Sequence, residues 1–326
     1  MKLNIKETPL FWPAKLRKGV LFVLDETLIP RKLRYVKVLS AEDAVKVIRE
    51  MKTRAFGQLL VVLYTFIVEI YSFKGKSSEE LLQRVKEVAV LLNNSRPTFP
   101  FSEVTSMVVG VAQGALHSGS DMANDIRRFI NGYLKGIRWR RIERVMKIAR
   151  YIKDGDSILT HCNVSGELAM AAYICSQQNK DIHFFVTETR PYLQGSKLTC
   201  WELKRMKAKV TLIADNAVGT VMSDSLVNKV IVGSDRSCAN HDFANKIGTY
   251  QIAVLAKEFG IPFCVLTQPS DKIKKGEDIP IEIRSPKEIL LYEGKKTVPG
   301  AEEAFYPGFD IVPNKYINKE IPINVR

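Results

Sequence analysis

From Ser157 to Gln268 the chain repeats one cycle: a short β-rich run, a polar or glycine-containing turn, then a helical segment. No other feature limits its fold as strongly, because strands alternating with helices call for a parallel sheet with helices on its faces. The runs predict strands over Ser157–His161, Ile182–Thr187, Lys209–Ala214, Lys229–Val232 and Pro262–Leu266, with helices between the first three and over Ile247–Phe259. Runs that are apolar throughout, such as Val230-Ile231-Val232, suit strands covered on both sides. The expected fold class is therefore α/β, with a Rossmann-like parallel sheet filling a C-terminal domain, 153–326. Ligands of such sheets bind beyond the carboxyl ends of the strands. The first strand is not followed by GxGxxG, which argues against a dinucleotide.

The preceding half reads differently. Residues 1–39 alternate short apolar runs, Val20–Leu24 and Tyr35–Leu39, with Asp25-Glu26-Thr27 and Pro30, a pattern that predicts a small antiparallel β region. A mainly helical N-terminal domain is expected over 40–152. Ser40-Ala41-Glu42-Asp43 and Ser77-Ser78-Glu79-Glu80 carry the signature of helix starts. Breaks are expected at Gly57, Lys74-Gly75-Lys76, Arg96–Pro100 and 116–120, and the turn residues Lys153–Asp156 mark the boundary to the sheet.

Composition narrows the class. Apolar residues make up 46% of 326, ample for a sizeable core. The longest apolar run, Leu59–Ile70, is too short to span a bilayer and contains Glu69, so a buried helix and no membrane association are expected. The first residues lack an apolar secretion core, which makes the cytoplasm the expected compartment. Five cysteines without CxxC pairs and four histidines without HxxxH or HExxH spacing point to reduced thiols and no metal centre. The net charge of +14 suits an anionic partner, a phosphorylated small molecule or nucleic acid. Lys and Arg are spread along the chain, however, and the densest basic-aromatic stretch, Lys135–Arg141, lies in a predicted helix. The charge thus reads as a solvated surface, and nucleic acid is disfavoured.

The chemistry-bearing residues gather where the predicted strands end. Cys162, in Thr160-His161-Cys162-Asn163, stands before Gly166 and a helix, where a dipole would favour a thiolate; the same residue type also commonly fills cores. Asp235, in Gly233-Ser234-Asp235-Arg236, would exchange protons near neutrality if shielded from water, or would serve as a cap or ion-pair partner. Asn245–Thr249 is expected to open a helix whose free amides and Lys246 suit a phosphate. Glu188-Thr189-Arg190-Pro191 and Gln194-Gly195 add a polar loop. His161 adjoins Cys162, but neighbours on a strand face opposite ways, so a simple dyad is not expected.

The segments THCN, TETRPYLQG, LTCWEL, LIADN, VGSDR with ANKIGTY, GEDIPIE and FDIVP, in that order over about 150–315, closely resemble the methylthioribose-1-phosphate isomerase family. Its superfamily includes ribose-1,5-bisphosphate isomerase and regulatory subunits of the translation initiation exchange factor. The resemblance implies a homodimeric enzyme that converts an aldose 1-phosphate to a ketose 1-phosphate without cofactor, 5-methylthioribose 1-phosphate in methionine salvage being the family substrate. It implies Cys162 and Asp235 as the catalytic pair, and Arg54, Arg96, Gln194, Asn245 and Lys246 as substrate contacts. The initiation-factor relatives characteristically lack that pair. Ser95-Arg96-Pro97-Thr98 keeps the family setting, but Met51–Gln58 departs from the Arg-Gly-Ala-Pro-Ala-Ile-Gly loop: Arg54 remains, the glycine after it and the proline are gone, and Phe56 is bulky. That departure leaves another pentose phosphate open as substrate (5-deoxyribose 1-phosphate, ribose 1-phosphate or ribose 1,5-bisphosphate), and with it a non-catalytic regulatory role.

Overall fold

The structure, a computed structural model, describes residues 5–96, 99, 101–268, 272–292, 294–298 and 303–323. Two compact units emerge, one formed by Pro9–Trp139, the other by Met1–Thr8 with Arg140–Arg326.

In the first unit, β1 (Ala14–Arg17), β2 (Val20–Leu24) and β3 (Tyr35–Val38) form an antiparallel sheet in that order. Ser40 then caps α1 (Ala41–Arg49), its hydroxyl accepting from the Asp43 amide while the Asp43 carboxylate takes the Leu39 amide. α2 (Ala55–Ser72), α3 (Ser78–Asn93), α4 (Phe101–Ser118) and α5 (Met122–Tyr151) follow, and Ser77 caps α3 in the same manner. Gly57 does not break a helix. It lies in the first turn of α2, where an added Cβ would fall 1.8 Å from the Thr53 hydroxyl.

α2 also departs from expectation in length. Its 18 residues make a helix long and apolar enough to cross a bilayer, yet 67% of them are buried inside the protein. Glu69 on it accepts from the Ala41 amide (2.6 Å) and from Arg84 Nε (2.9 Å). A helix whose charged residue is satisfied by its own neighbours and whose apolar faces are covered is a core helix. The division between the units falls within α5 at Trp139, an exposed residue of the basic stretch; Arg138 lies over the Trp12 ring.

The second unit carries β4 (Ser157–Thr160), α6 (Glu167–Gln177), β5 (His183–Thr187), α7 (Cys200–Arg205), β6 (Lys209–Ile213), α8 (Val218–Ser223) and β7 (Lys229–Gly233). These are followed by β8 (Arg236–Ser237), β9 (Phe243–Lys246), α9 (Thr249–Glu258), β10 (Phe263–Leu266), β11 (Leu291–Tyr292), β12 (Lys295–Lys296), β13 (Phe309–Val312) and β14 (Lys319–Glu320). All five expected strands are present, as β4, β5, β6, β7 and β10, with ends within one residue of those anticipated. The short α8 was not anticipated; six residues containing two valines, a threonine and a glycine carry too little helical pattern to be seen.

Six strands form a parallel sheet in the order β14-β10-β7-β4-β5-β6. The chain thus builds outward from β4 through β5 and β6, then returns to β7 on the other side. The direction reverses between β4 and β7, and in such sheets ligands bind beyond the carboxyl ends of the strands at that point. Leu159, Val230, Val232, Phe263 and Val265 pack from the central strands into a core closed by Val218, Met222, Ile252 and Ala256 of α8 and α9. A second, antiparallel sheet, β13-β9-β8, stands beyond β7.

Candidate active site

Cys162 and Asp235 leave the carboxyl ends of the neighbouring strands β4 and β7, on either side of the reversal. The turn holding Cys162 is fixed on every side. Its amide donates to Thr189 Oγ1 (3.0 Å), and its carbonyl accepts from Thr199 Oγ1 (2.5 Å). Asn163 closes the turn, its Oδ1 accepting from the Ser165 amide and its Nδ2 donating to Glu202 (2.8 Å). Backbone in the left-handed region concentrates here, at Cys162 (φ 63), Ser165 (φ 49), Thr189 (φ 63) and Leu193 (φ 59). Each such residue costs of order 1–2 kcal/mol and persists only where surrounding structure imposes it.

Two electrostatic expectations are corrected. Cys162 does not sit in the first turn of α6; Gly166 caps that helix, and Asn163–Ser165 intervene, beyond the reach of a dipole effect confined to the first turn. Asp235 is exposed rather than shielded, its amide held by the Ala244 carbonyl (2.9 Å). Cys162 itself is buried, 8% exposed.

His161 is buried and bonded away from the thiol. Nδ1 meets Thr187 Oγ1 (2.7 Å) and Nε2 the Ile247 carbonyl (2.8 Å). The carbonyl can only accept, so Nε2 carries the proton and Nδ1 accepts from Thr187. Burial pushes the imidazole pKa down, keeping the ring neutral. His161 thereby ties the end of β4 to β5 and to the turn before α9. Gly248 makes room for it: φ is +101, and a Cβ there would lie 3.1 Å from the imidazole Cε1.

Gln194 precedes a π-helical turn, Gly195–Thr199. Only glycine fits at 195, since a Cβ would fall 1.8 Å from the Thr187 carbonyl oxygen. Gln194 is 8% exposed, and its buried Oε1 has no hydrogen-bond partner among the described residues.

Asn245 and Lys246 lie on β9, not on a helix. α9 starts later, at Thr249, and its leading amides are occupied: Asp310 Oδ2 accepts from Gly248 N (2.7 Å) and Tyr250 N (2.9 Å). The anticipated free helix terminus for a phosphate is therefore filled by a carboxylate of this chain. Lys246 is buried, donating to the Gly308 carbonyl (3.0 Å), with its ammonium over the Phe309 and Tyr192 rings. Asn245 Nδ2 donates to Thr249 Oγ1 (3.0 Å).

Arg54 and Arg96 belong to the first unit. Arg54 caps the start of α2, and Glu26 fixes its guanidinium through Nε (2.7 Å). Arg96 donates to Gln58 Oε1 (3.0 Å), and Gln58 in turn donates to the Thr53 carbonyl (2.9 Å). The two arginines are thus linked through one short stretch. Pro97 and Thr98 lie outside the described residues. Phe56 meets the Trp12 ring edge-on, at 5.5 Å between centroids.

Two tyrosines went unnoticed in the sequence. Tyr192 accepts from Arg284 Nη2 (2.5 Å), and its pKa is pushed up to about 12, first by burial. Tyr306 is 2% exposed, and its hydroxyl has no hydrogen-bond partner among the described residues. Tyr192 lies within the TETRPYLQG segment that carries the family resemblance, whereas Tyr306 belongs to no motif or spacing pattern that the sequence singles out.

A model of the initiation factor 2 subunit family matches residues 57–322. The chain belongs to that family. Among curated relatives, the methylthioribose-1-phosphate isomerase of Acetivibrio thermocellus is 35% identical over 94% of this chain and 93% of its own length. That of Thermosipho africanus is 37% identical over 89% and 87%. Two solved structures align over nearly the whole chain. The crystal structure of 5-methylthioribose 1-phosphate isomerase from Pyrococcus horikoshii aligns with a TM-score of 0.84 at 29% identity, covering 98% of this chain and 94% of that one. A structure described as translation initiation factor eIF-2B, subunit delta, from A. fulgidus aligns at 0.81 with 28% identity, covering 95% and 94%. The family thus spans proteins named as isomerases and proteins named as translation factors, and the nearly full-length relatives at 35–37% identity are of the first kind.

Proposed function

We propose that this enzyme is a sugar-1-phosphate aldose–ketose isomerase, converting 5-methylthioribose 1-phosphate to 5-methylthioribulose 1-phosphate, with Cys162 and Asp235 as the proton-transfer pair. One observation carries the reading: the thiol and the carboxylate stand at the ends of adjacent strands, at the point where the sheet reverses direction. The isomerases among its relatives support the substrate class.

The reaction explains why two such groups are needed. A sugar 1-phosphate has no free carbonyl, so an acid gives a proton to the ring oxygen as the C1–O4 bond breaks. Hydrogen then passes from C2 to C1, and the O2 proton leaves to a base as the C2 carbonyl forms. The transfer runs either as proton removal through an enol or as a direct hydride shift, and both need two proton-transfer groups. The product is an isomer of the substrate, and electrons balance without an external oxidant. The buried acceptor of Gln194 suits a sugar hydroxyl. Arg54 and Arg96 retain the phosphate-binding role that the resemblance assigns, a guanidinium fork matching phosphate oxygens.

Phosphorus and proton NMR of the purified protein with 5-methylthioribose 1-phosphate, 5-deoxyribose 1-phosphate, ribose 1-phosphate and ribose 1,5-bisphosphate tests this directly. The wild type is expected to convert the first to its ketose 1-phosphate, while Cys162→Ser and Asp235→Asn bind it and do not turn it over. Conversion of a different sugar would reassign the substrate, turnover retained by both variants would remove the mechanism, and saturable binding without any conversion would overturn the isomerase reading.

A further inference from the structure

Tyr306 precedes β13 on a segment held from both sides. Its carbonyl accepts from the Arg284 amide (2.8 Å), and the Gly308 amide donates to the Glu282 carbonyl (2.9 Å). The Gly308 carbonyl in turn accepts from Lys246 Nζ (3.0 Å), and Phe309 pairs with Lys246 across β13 and β9. The backbone at 306 is therefore fixed relative to Lys246, and the ring has little freedom to turn away. Arg284, whose amide holds the Tyr306 carbonyl, donates from Nη2 to Tyr192 Oη (2.5 Å) and to Glu288 (2.7 Å), so the segment of Tyr306 is tied to that cluster as well. Burial raises the phenol pKa, so the group stands as a neutral O–H.

A buried hydroxyl without a partner costs about 1–3 kcal/mol, and phenylalanine would fill the same space without that cost. A tyrosine kept under such conditions calls for a ligand. A second buried atom without a partner among the described residues is Gln194 Oε1; Tyr192, two residues before it, accepts from the Arg284 whose amide holds the Tyr306 carbonyl, and its neighbour Gly195 packs against the Thr189 hydroxyl that holds the Cys162 amide. The two are chemically complementary. An amide oxygen only accepts, whereas a phenol donates as well, and a molecule with adjacent hydroxyl and ether oxygens can satisfy both.

We infer that Tyr306 is a substrate-contacting residue whose hydroxyl bonds an oxygen of the sugar on the Lys246 side of the site, sharing recognition of the polyol with Gln194. This rests on the proposed isomerase reading for the identity of the sugar, but not for the contact itself. The test is Tyr306→Phe measured in two ways beside the wild type: calorimetric binding of ribose 1-phosphate and 5-methylthioribose 1-phosphate, and turnover by NMR. The variant is expected to bind the recognised sugar on the order of tenfold more weakly and to lose at least that factor in kcat/KM, at an unchanged or higher melting temperature. Binding and kinetics within twofold of wild type would overturn the inference, as would a fall in melting temperature, which would mark the hydroxyl as structural. A wild type that binds without turning over would sink the isomerase reading alone, with Tyr306 still judged by its binding. A wild type that binds neither sugar would sink both.

Discussion

Glu167 offers the sharpest test of how this site is held. It is fully buried at the start of α6 and faces two guanidiniums: Arg141 donates from Nε (2.7 Å), Arg144 from Nε (2.5 Å) and Nη2 (2.7 Å). The arginines reach further, Arg141 Nη2 to the Ser165 carbonyl (2.7 Å) and Arg144 Nη1 to the Thr267 carbonyl (2.9 Å). The cluster therefore ties α5 to the turn after Cys162 and to the end of β10. Glu167→Gln keeps the volume but removes the carboxylate that both buried guanidiniums face. Removing one member of a buried ion pair costs about 3–5 kcal/mol, and the upper part of that range is expected because two cations lose one partner. Chemical denaturation at neutral pH measures it as a drop in midpoint at constant slope. The pH dependence is a second arm. Burial by itself would raise the Glu167 pKa, but Arg144 and Arg141 hold it below the ordinary 4.5. The unfolded chain thus takes up this proton first, so the contribution is complete above about 4.5 and is lost as pH falls through the folded value. The wild-type advantage over Glu167→Gln should shrink over that acid range. A loss below about 1 kcal/mol at neutral pH, or an advantage indifferent to acid, would refute the argument.

Two further outcomes follow from packing. Gly195→Ala sets a methyl 1.8 Å from the Thr187 carbonyl, which must displace the π-helical turn; a destabilisation of about 1–3 kcal/mol and at least a tenfold loss of kcat/KM are expected, and wild-type kinetics would contradict the placement of Gln194 by that turn. Asp310→Ala frees the Gly248 and Tyr250 amides at the start of α9 and should cost about 1–2 kcal/mol in thermal or denaturant unfolding, whereas an unchanged stability would show that the cap is dispensable.

The sequence by itself determined the five central strands, the two capped helix starts and the class of sheet. Strand runs such as Lys229–Gly233 are legible because burial on both faces demands apolar residues throughout, and Ser40 and Ser77 mark helix starts because a hydroxyl must satisfy amides that the helix cannot. The motif order also carried the family. What the sequence left undetermined was non-local. Strand order decided that Cys162 and Asp235 stand at neighbouring strand ends, since adjacency across the sheet leaves no mark on local pattern. Asn245 and Lys246 read as the opening of a helix because a glycine follows them, and only pairing with β13 makes them a strand whose helix is capped by Asp310, some sixty residues away. Tyr306 is the clearest case. One tyrosine among 11 carries no signal of its own, and its role rests on the ladder that fixes its backbone and on a hydroxyl without a partner among the described residues.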